Sequence, residues 1–497
     1  MMAIDAVGRA LWAFALAAVL AWTPAAASEP ESGAAPAVVP NGVLEQQAAH
    51  FWLAVSAPAE DRQSLLERHF SPGIRERNGD AELLDTLAML SEALAPELAT
   101  LPKPRVMQGE QGPTGELQYT LPTGRRLSLT LGVTGGDAPQ VDRFGLRPLP
   151  PEVAAVAPEQ LPAVIAERIK AEFEAGRFSG AVLVARGDAL IYADAIGLAD
   201  RQSGRANTLD TPINLGSINK MFTGIAIAQL QAAGKLDWQD TVGKHLPEFP
   251  NAAIRDHVTI HQLLTHTSGV GDYFNPAHDA RKHVLDTQQE FLETFVDQPL
   301  QFEPGQGMEY SNGGPVILGL IIEAISGSDY YRYIRDHVYR PAGMANADHY
   351  RRDDTAAGFA LGYMKTEDGT WQDNGSDLSL RGSAAGGGYA SARDLFAFSR
   401  ALAQERLLTR AQLEVLWTPH QQTGPMAYGY LSSIGGSPER RWVGHNGGAP
   451  GISALFMHYP EDGLVMVVLA NQDHAADGMR EWLQAQVEAS LFETSQP

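Results

Sequence analysis

The stretch Ile213-Asn-Leu-Gly-Ser-Ile-Asn-Lys-Met-Phe-Thr-Gly224 puts a serine, Ser217, at the head of a run in which Ile218, Met221, Phe222, Ile225 and Leu230 recur at helical spacing, with Gly234 closing the pattern. A serine at a helix start is commonly a cap for the free backbone N–H groups. Lys220 does not suit that role, because a cation in the first turn opposes the helix dipole at a cost of about 0.3–1 kcal/mol. Positions i and i+3 share a helix face, so the Lys220 amine can approach the Ser217 hydroxyl. Burial and the positive helix end both disfavour the ammonium form, leaving an amine able to take a proton, and the same helix end favours a developing oxyanion. This is the one Ser-x-x-Lys in the chain, and such a pair by itself is a common match.

Composition bounds what surrounds it. The 497 residues exceed one ordinary domain, so two folded units and a targeting segment are expected. A net charge of -22 with no basic stripe excludes nucleic acid as a partner. The absence of cysteine excludes disulfides, thiolate metal sites, cysteine nucleophiles and a lipid anchor on sulfur. Residues 1–27 read as a secretory signal: Arg9, an apolar run from Ala10 to Trp22, then Ala25-Ala26-Ala27 as cleavage site. The apolar run is too short for a comfortable bilayer span, so the expectation is an exported chain, periplasmic or secreted, with no stable membrane span after cleavage; the alternative is an uncleaved anchor, because Asp5 weakens the positive n-region.

Residues 28–40 read as a flexible leader rich in Ala and Pro. Residues 41–150 read as a small α+β domain. Three helical patterns, Val43 to Val55, Asp61 to Phe70 and Ala81 to Leu94, are separated by breaks at Ala57-Pro58 and Ser71-Pro72-Gly73. Strict alternation follows, Leu117, Tyr119 and Leu121, then Leu127, Leu129, Leu131 and Val133, across a turn at Pro122-Thr-Gly124. In element order and size this unit resembles the nuclear-transport-factor-2-like domains. After a linker at 151–160, residues 161–497 form the second unit. It opens with a helix from Leu161 to Ala175 and a hairpin, Gly180 to Gly197, turning at Arg186-Gly187-Asp188. It closes with a hairpin from Ile452 to Asn471 and a helix from Met479 to Phe492. Strands at both ends imply one antiparallel sheet completed by both termini, with a helical insertion and a cleft between them.

Two further motifs accompany the Ser-Lys pair: Tyr310-Ser311-Asn312 within Met308–Gly314, and His445-Asn446-Gly447 within Trp442–Gly451. The trio Ser-x-x-Lys, Tyr-x-Asn and His/Lys-x-Gly, in this order, resembles the serine beta-lactamase and penicillin-recognising family, in the branch of class C beta-lactamases, D-alanyl-D-alanine carboxypeptidases, D-aminopeptidases and family VIII carboxylesterases. Phe178–Val184, Leu263-Leu-Thr-His-Thr-Ser-Gly269 and Gly386–Leu395 support it, and the likeness runs from about residue 160 to 490.

The resemblance implies an α+β beta-lactamase/transpeptidase-like domain and an acyl-enzyme on Ser217. Lys220 and Tyr310 would share the proton traffic, with the choice of base between them open. Asn312 would orient Lys220 and a substrate carbonyl, and Gly448 would pair with the Ser217 N–H as oxyanion hole beside Gly447. His445 stands where beta-lactamases carry a lysine. A histidine there is mostly neutral near pH 7, which turns the expectation away from penicillins. Tyr273, just after the Thr-His-Thr-Ser-Gly motif, is expected to line the acyl side of the cleft. His266 is expected to be structural, and His257, His261 and His266 show no metal-ligand pattern, so neither metal nor cofactor is called. The expected substrate is a small ester, amide or D-amino-acid peptide, esters first. The competing expectation is a catalytically silent ligand-binding or regulatory module on the same fold.

Overall fold

The structure is a computed structural model describing residues 40–98, 101–107, 114–121, 126–136, 138–149, 151–354, 356, 358–366, 368–423, 426–437, 439–473 and 475–492. The signal and leader expected over 1–39 and the Pro122-Thr-Gly124 turn lie outside the described residues. The chain divides into two compact units at Val153/Ala154.

In the first unit α1 (Asn41–Ser56), α2 (Ala59–His69), α3 (Pro72–Asn78) and α4 (Asp80–Leu98) precede an antiparallel meander of β1 (Arg105–Met107), β2 (Thr114–Thr120), β3 (Arg126–Val133) and β4 (Val141–Leu149) in that spatial order. The alternating leucines of β2 and β3 meet Leu44, Phe51, Leu66 and Leu87 of the helices in one core. The break expected at Ser71-Pro72-Gly73 is present, with Phe70 and Ser71 extended, and it also starts α3, a short helix absent from the three patterns. The Ser71 hydroxyl accepts from the Ile74 N–H and Pro72 occupies the first turn, where its missing N–H costs nothing.

The second unit is built on an eight-stranded antiparallel sheet. Its chain order is α5 (Leu161–Glu174), β5 (Gly180–Arg186), β6 (Ala189–Ile196), α6 (Asn219–Ala232), α7 (Gly313–Ser326), α8 (Ala392–Ala403), β7 (Gln421–Thr423), β8 (Met426–Tyr428), β9 (Ser433–Ser437), β10 (Arg440–Ala449), β11 (Ile452–Tyr459), β12 (Leu464–Ala470) and α9 (Ala475–Phe492), with short helices and turns between. The spatial order β7-β8-β9-β10-β11-β12-β5-β6 brings the last strand against the first, Leu464 opposite Arg186 through Ala470 opposite Gly180. The termini of this unit thus close its sheet, as the two hairpins imply.

Strands β5, β11 and β12 are apolar along nearly their whole length because both faces are covered. Leu183, Phe456, Val467 and Leu469 face one core together with α6, α7 and α8. Val182, Val184, Met466 and Val468 face the other, against Ile165 and Ile169 of α5 and Leu483 and Val487 of α9. Helix α6 is buried on almost every side, which explains its all-round apolar character, and it carries the Ser-Lys pair at its head.

Candidate active site

The chain enters the site through a two-residue bridge, Ile213–Asn214 against Tyr389–Ala390, and the Leu215 N–H donates to the Gly388 carbonyl at 2.8 Å. Gly216–Ile218 then form one 3-10 turn that runs directly into α6. Ser217 lies inside this turn, and no side chain caps either helix. The capping role is therefore absent, because the serine sits within the helical path and not ahead of it. Its hydroxyl is held by Lys220 and Tyr310 instead. Gly216 is required twice over: its φ is +49°, and a Cβ would stand 2.5 Å from the Gly448 nitrogen.

Lys220 is fully buried. Its Nζ contacts Ser217 Oγ at 3.1 Å, Asn312 Oδ1 at 2.6 Å and the Ala385 carbonyl at 2.7 Å, and lies 4.8 Å from the Tyr310 ring centroid. Burial pushes its pKa down to about 7, against a smaller upward pull from Asp272. An amine poised there is half neutral at neutral pH and suited to general-base work. Tyr310 moves the other way. Burial lifts its phenol far above the usual range in spite of the Ser217 hydrogen bond, so it is a neutral donor at any ordinary pH. Of the two candidate bases, Lys220 has the matched pKa.

Asn312 sits at the head of α7, and its Nδ2 donates to Asp272 Oδ2 at 2.6 Å. Asp272 escaped the sequence reading; its one signal is a lone acid three residues after the Thr-His-Thr-Ser-Gly motif. Burial raises its pKa, while bonds from the Phe274 N–H and Asn312 and the charge of Lys220 pull it back.

His445 lies behind the cleft, 1 % exposed. Its Nδ1 is 2.6 Å from the Asn446 carbonyl and its Nε2 is 3.1 Å from the Tyr428 hydroxyl. The same hydroxyl is 3.1 Å from His266 Nε2, and His266 Nδ1 accepts from the Ser311 N–H at 3.2 Å. The proton positions follow from the ends of this chain. A carbonyl only accepts and a backbone N–H only donates, so His445 carries its proton on Nδ1 and His266 on Nε2, while Tyr428 donates to His445. Burial, then the charge of Lys220, holds His445 down to about 3, and the same causes hold His266 well below its usual value. Both are neutral, and His445 has no free nitrogen for a substrate. What β10 presents to the cleft is backbone. Its pairing with β9 ends at Gly444, while that with β11 continues to Ala449, so 445–449 keep one open edge beside the Gly216 turn. A Cβ on Gly447 would collide with the Leu215 carbonyl, and Gly448 is exposed with open space around it.

Tyr273 does not line the cleft. It is 5 % exposed, packed against Phe274, His278 and Phe291, with its hydroxyl 3.4 Å from Ser383 Oγ. Phe274, packed on Tyr273, is the exposed member of this cluster. His257 ends a short helix and His261 Nδ1 bonds the Tyr430 hydroxyl at 2.8 Å, apart from the His266 chain. Ser217, Lys220, Tyr310, Asn312 and the Gly447-Gly448 backbone thus converge, whereas His445 and Tyr273 stand behind them.

The Beta-lactamase family model matches residues 162–490. Penicillin-binding protein 4* of Bacillus subtilis is 31% identical over 319 residues, 60% of this chain and 69% of that protein. Esterase EstB of Burkholderia gladioli is 36% identical over 203 residues, 37% of this chain and about half, 51%, of the esterase. Among solved structures, a penicillin-binding protein from Bacillus halodurans shares 33% identity with a TM-score of 0.58, over 63% of this chain and 97% of that one. The first unit lies outside the family match. The chain belongs to the beta-lactamase family, and its second unit is a serine hydrolase domain of that family.

Proposed function

We propose that this is an exported hydrolase that cleaves small esters and amides through an acyl-enzyme on Ser217. The observation that carries the reading is the buried Lys220 amine, its pKa near 7, hydrogen-bonded at 3.1 Å to the Ser217 hydroxyl. Neutral Lys220 takes the Ser217 proton as Oγ attacks the carbonyl. The N–H groups of Ser217 and Gly448 receive the oxyanion, in a site where such donors are worth far more than in water. Tyr310, bonded to Ser217, passes the proton to the departing oxygen or nitrogen. An activated water then releases the acid and restores the serine. Export rests on the signal-like residues 1–27, and among the described residues no helix is long and apolar enough to cross a membrane.

Substrate preference follows from His445. A neutral ring with both nitrogens engaged offers no cation for a substrate carboxylate, which favours uncharged esters and amides over peptides with a free C-terminus and over penicillins. Relatives in the same fold include EstB and, at 25% identity over 67% of this chain with a TM-score of 0.54, a D-stereospecific amidohydrolase from Streptomyces. The test is a side-by-side assay of p-nitrophenyl esters, D-amino-acid amides and beta-lactams, with a fluorophosphonate or labelled penicillin mapped by mass spectrometry. The expected result is an adduct on Ser217, ester turnover fastest, and loss of turnover in Ser217→Ala; an unlabelled Ser217 with turnover intact in the alanine variant refutes the reading.

A further inference from the structure

Asp272 has no part in the steps above, yet its carboxylate decides which way they run. An asparagine amide has nearly the same shape at both ends, so the end it turns to a neighbour is set by what its other end meets. Asn312 lies between Asp272 and Lys220, 2.6 Å from each. An ionised carboxylate only accepts, so Asn312 turns its NH2 to Asp272 and its oxygen to Lys220. Asp272 is itself fixed, since its Oδ1 accepts from the Phe274 N–H at 2.9 Å.

The consequence falls on Lys220. A neutral amine has two N–H bonds and one lone pair. Asn312 Oδ1 at 2.6 Å and the Ala385 carbonyl at 2.7 Å are acceptors only, and each takes an N–H. The remaining direction, toward Ser217 Oγ at 3.1 Å, is that of the lone pair. Were the Asn312 amide reversed, its NH2 would draw the lone pair and an N–H would face Ser217, turning the base away from its proton.

We propose that Asp272 is a positioning residue that fixes the Asn312 amide and thereby aims the Lys220 lone pair at Ser217. This rests on the reading of Ser217 as nucleophile. The groups that face the pair are few. Lys220, Tyr310, Tyr273 and His278 act on or feel Asp272, and His266, His445, Tyr310 and Asp272 surround Lys220. The two histidines are neutral, so among the described residues Asp272 is the one carboxyl group whose charge favours the Lys220 ammonium.

Two variants of the full chain test this, Asp272→Leu and Asp272→Asn. Each is followed by the rate of fluorophosphonate labelling at Ser217 and by kcat and KM for a p-nitrophenyl ester from pH 5.5 to 9. Losing an acceptor that orients a buried polar group should lower the labelling rate and kcat of Asp272→Leu roughly 10- to 100-fold, with KM within about twofold. Asp272→Asn keeps the shape but removes the charge. Its acid limb should move to lower pH by roughly half a unit or more, because the ammonium of Lys220 loses its negative neighbour. A role in packing alone moves no limb. A wild-type limb and plateau in both variants overturns the proposal, and if Asp272→Leu does not fold, an unmoved limb in Asp272→Asn does so alone. A wild-type protein unlabelled at Ser217 refutes the nucleophile reading, and this proposal with it; a labelled wild type with unaffected variants refutes this proposal only.

Discussion

Replacing Lys220 with methionine separates the cost of the proposed base from its use. Methionine keeps most of the apolar volume and cannot titrate. In the folded chain Lys220 has a pKa of about 7, against an ordinary 10.5. Between these two values the unfolded chain binds a proton that the folded chain does not, so stability rises with pH across that window. Each pH unit is worth about 1.4 kcal/mol, so the full rise is about 5 kcal/mol, with roughly 2–3 kcal/mol of it between pH 7 and 9. Below pH 7 the folded chain bears the whole cost of a buried ammonium, and above 10.5 it bears none.

The assay is calorimetric unfolding of wild type and Lys220→Met at pH 6, 7, 8 and 9, following the transition of the second unit. Titrating groups remote from the site are common to both proteins and cancel in the difference; Asp272, which loses the downward pull of Lys220 in the variant, is removed from the comparison by measuring the same pair in an Asp272→Asn background. The neighbours His266 and His445 stay neutral over this range in either protein because burial, the largest cause of their lowered pKa values, survives the substitution. The wild type should gain stability relative to the variant as pH rises, while the variant forms no adduct at Ser217. In the wild type, kcat/KM should climb with a midpoint near pH 7 as the ammonium is lost. Stability curves that run parallel from pH 6 to 9 would show that Lys220 keeps an ordinary pKa in the folded chain, and its assignment as the base would fall.

Tyr428→Phe removes the donor to His445 Nε2 and the acceptor of His266 Nε2–H, at a cost of about 1–3 kcal/mol. Burial and the charge of Lys220, which hold His445 neutral, survive this change, so the ratio of kcat/KM for a D-alanyl peptide to that for its C-terminal amide should stay as in the wild type from pH 6 to 8; a ratio that rises at pH 6 would show that the Tyr428 hydrogen bond, and not burial, keeps His445 uncharged. Gly447→Ala puts a methyl group into the Leu215 carbonyl and must push β10 away from the Ser217 turn. Ester kcat should fall at least about tenfold, since a displaced oxyanion donor costs about 2.7–4 kcal/mol at full loss, whereas wild-type kcat would show that this edge takes no part.

What the sequence could disclose was local. Ser217 and Lys220 are a helical turn apart, so their meeting is legible from spacing alone. The two terminal hairpins carry apolar runs and Gly-centred turns, and their union into one sheet follows from each needing a partner edge. Strands β9 and β10 were not legible from their residue pattern, because Gly435, Gly436, Gly444, Gly447 and Gly448 look like loop composition. Here glycine serves close approach: a Cβ on Gly444 would collide with the Phe456 carbonyl of β11. Asp272 and Tyr428 lie 40 and 162 positions from their partners Asn312 and His266, in segments without periodicity, and only contact in space gives them meaning. Ser217 misled in the opposite sense, since a 3-10 turn moved the helix start ahead of it and removed the cap.

Two hydrogen-bond chains meet at this site, and each has its direction fixed from outside the cleft. One runs from Asp272 through Asn312 to Lys220 and ends on the Ser217 hydroxyl, presenting a lone pair. The other runs from the Ser311 N–H through His266 and Tyr428 to His445 and ends on the Asn446 carbonyl, leaving no proton and no charge to present. Ser311 and Asn312 are adjacent, so a single short segment ahead of α7 anchors both chains. Tyr310, on the same segment, touches Ser217. A shift of 310–312 would therefore change the proton donor, the orientation of the base and the neutrality of His445 together. The burial of 311–314 beneath the site is what prevents such a shift: the Ser311 hydroxyl donates to the Gly271 carbonyl at 2.9 Å and accepts from the Gly314 N–H at 3.0 Å, tying this segment to the loop that carries Asp272.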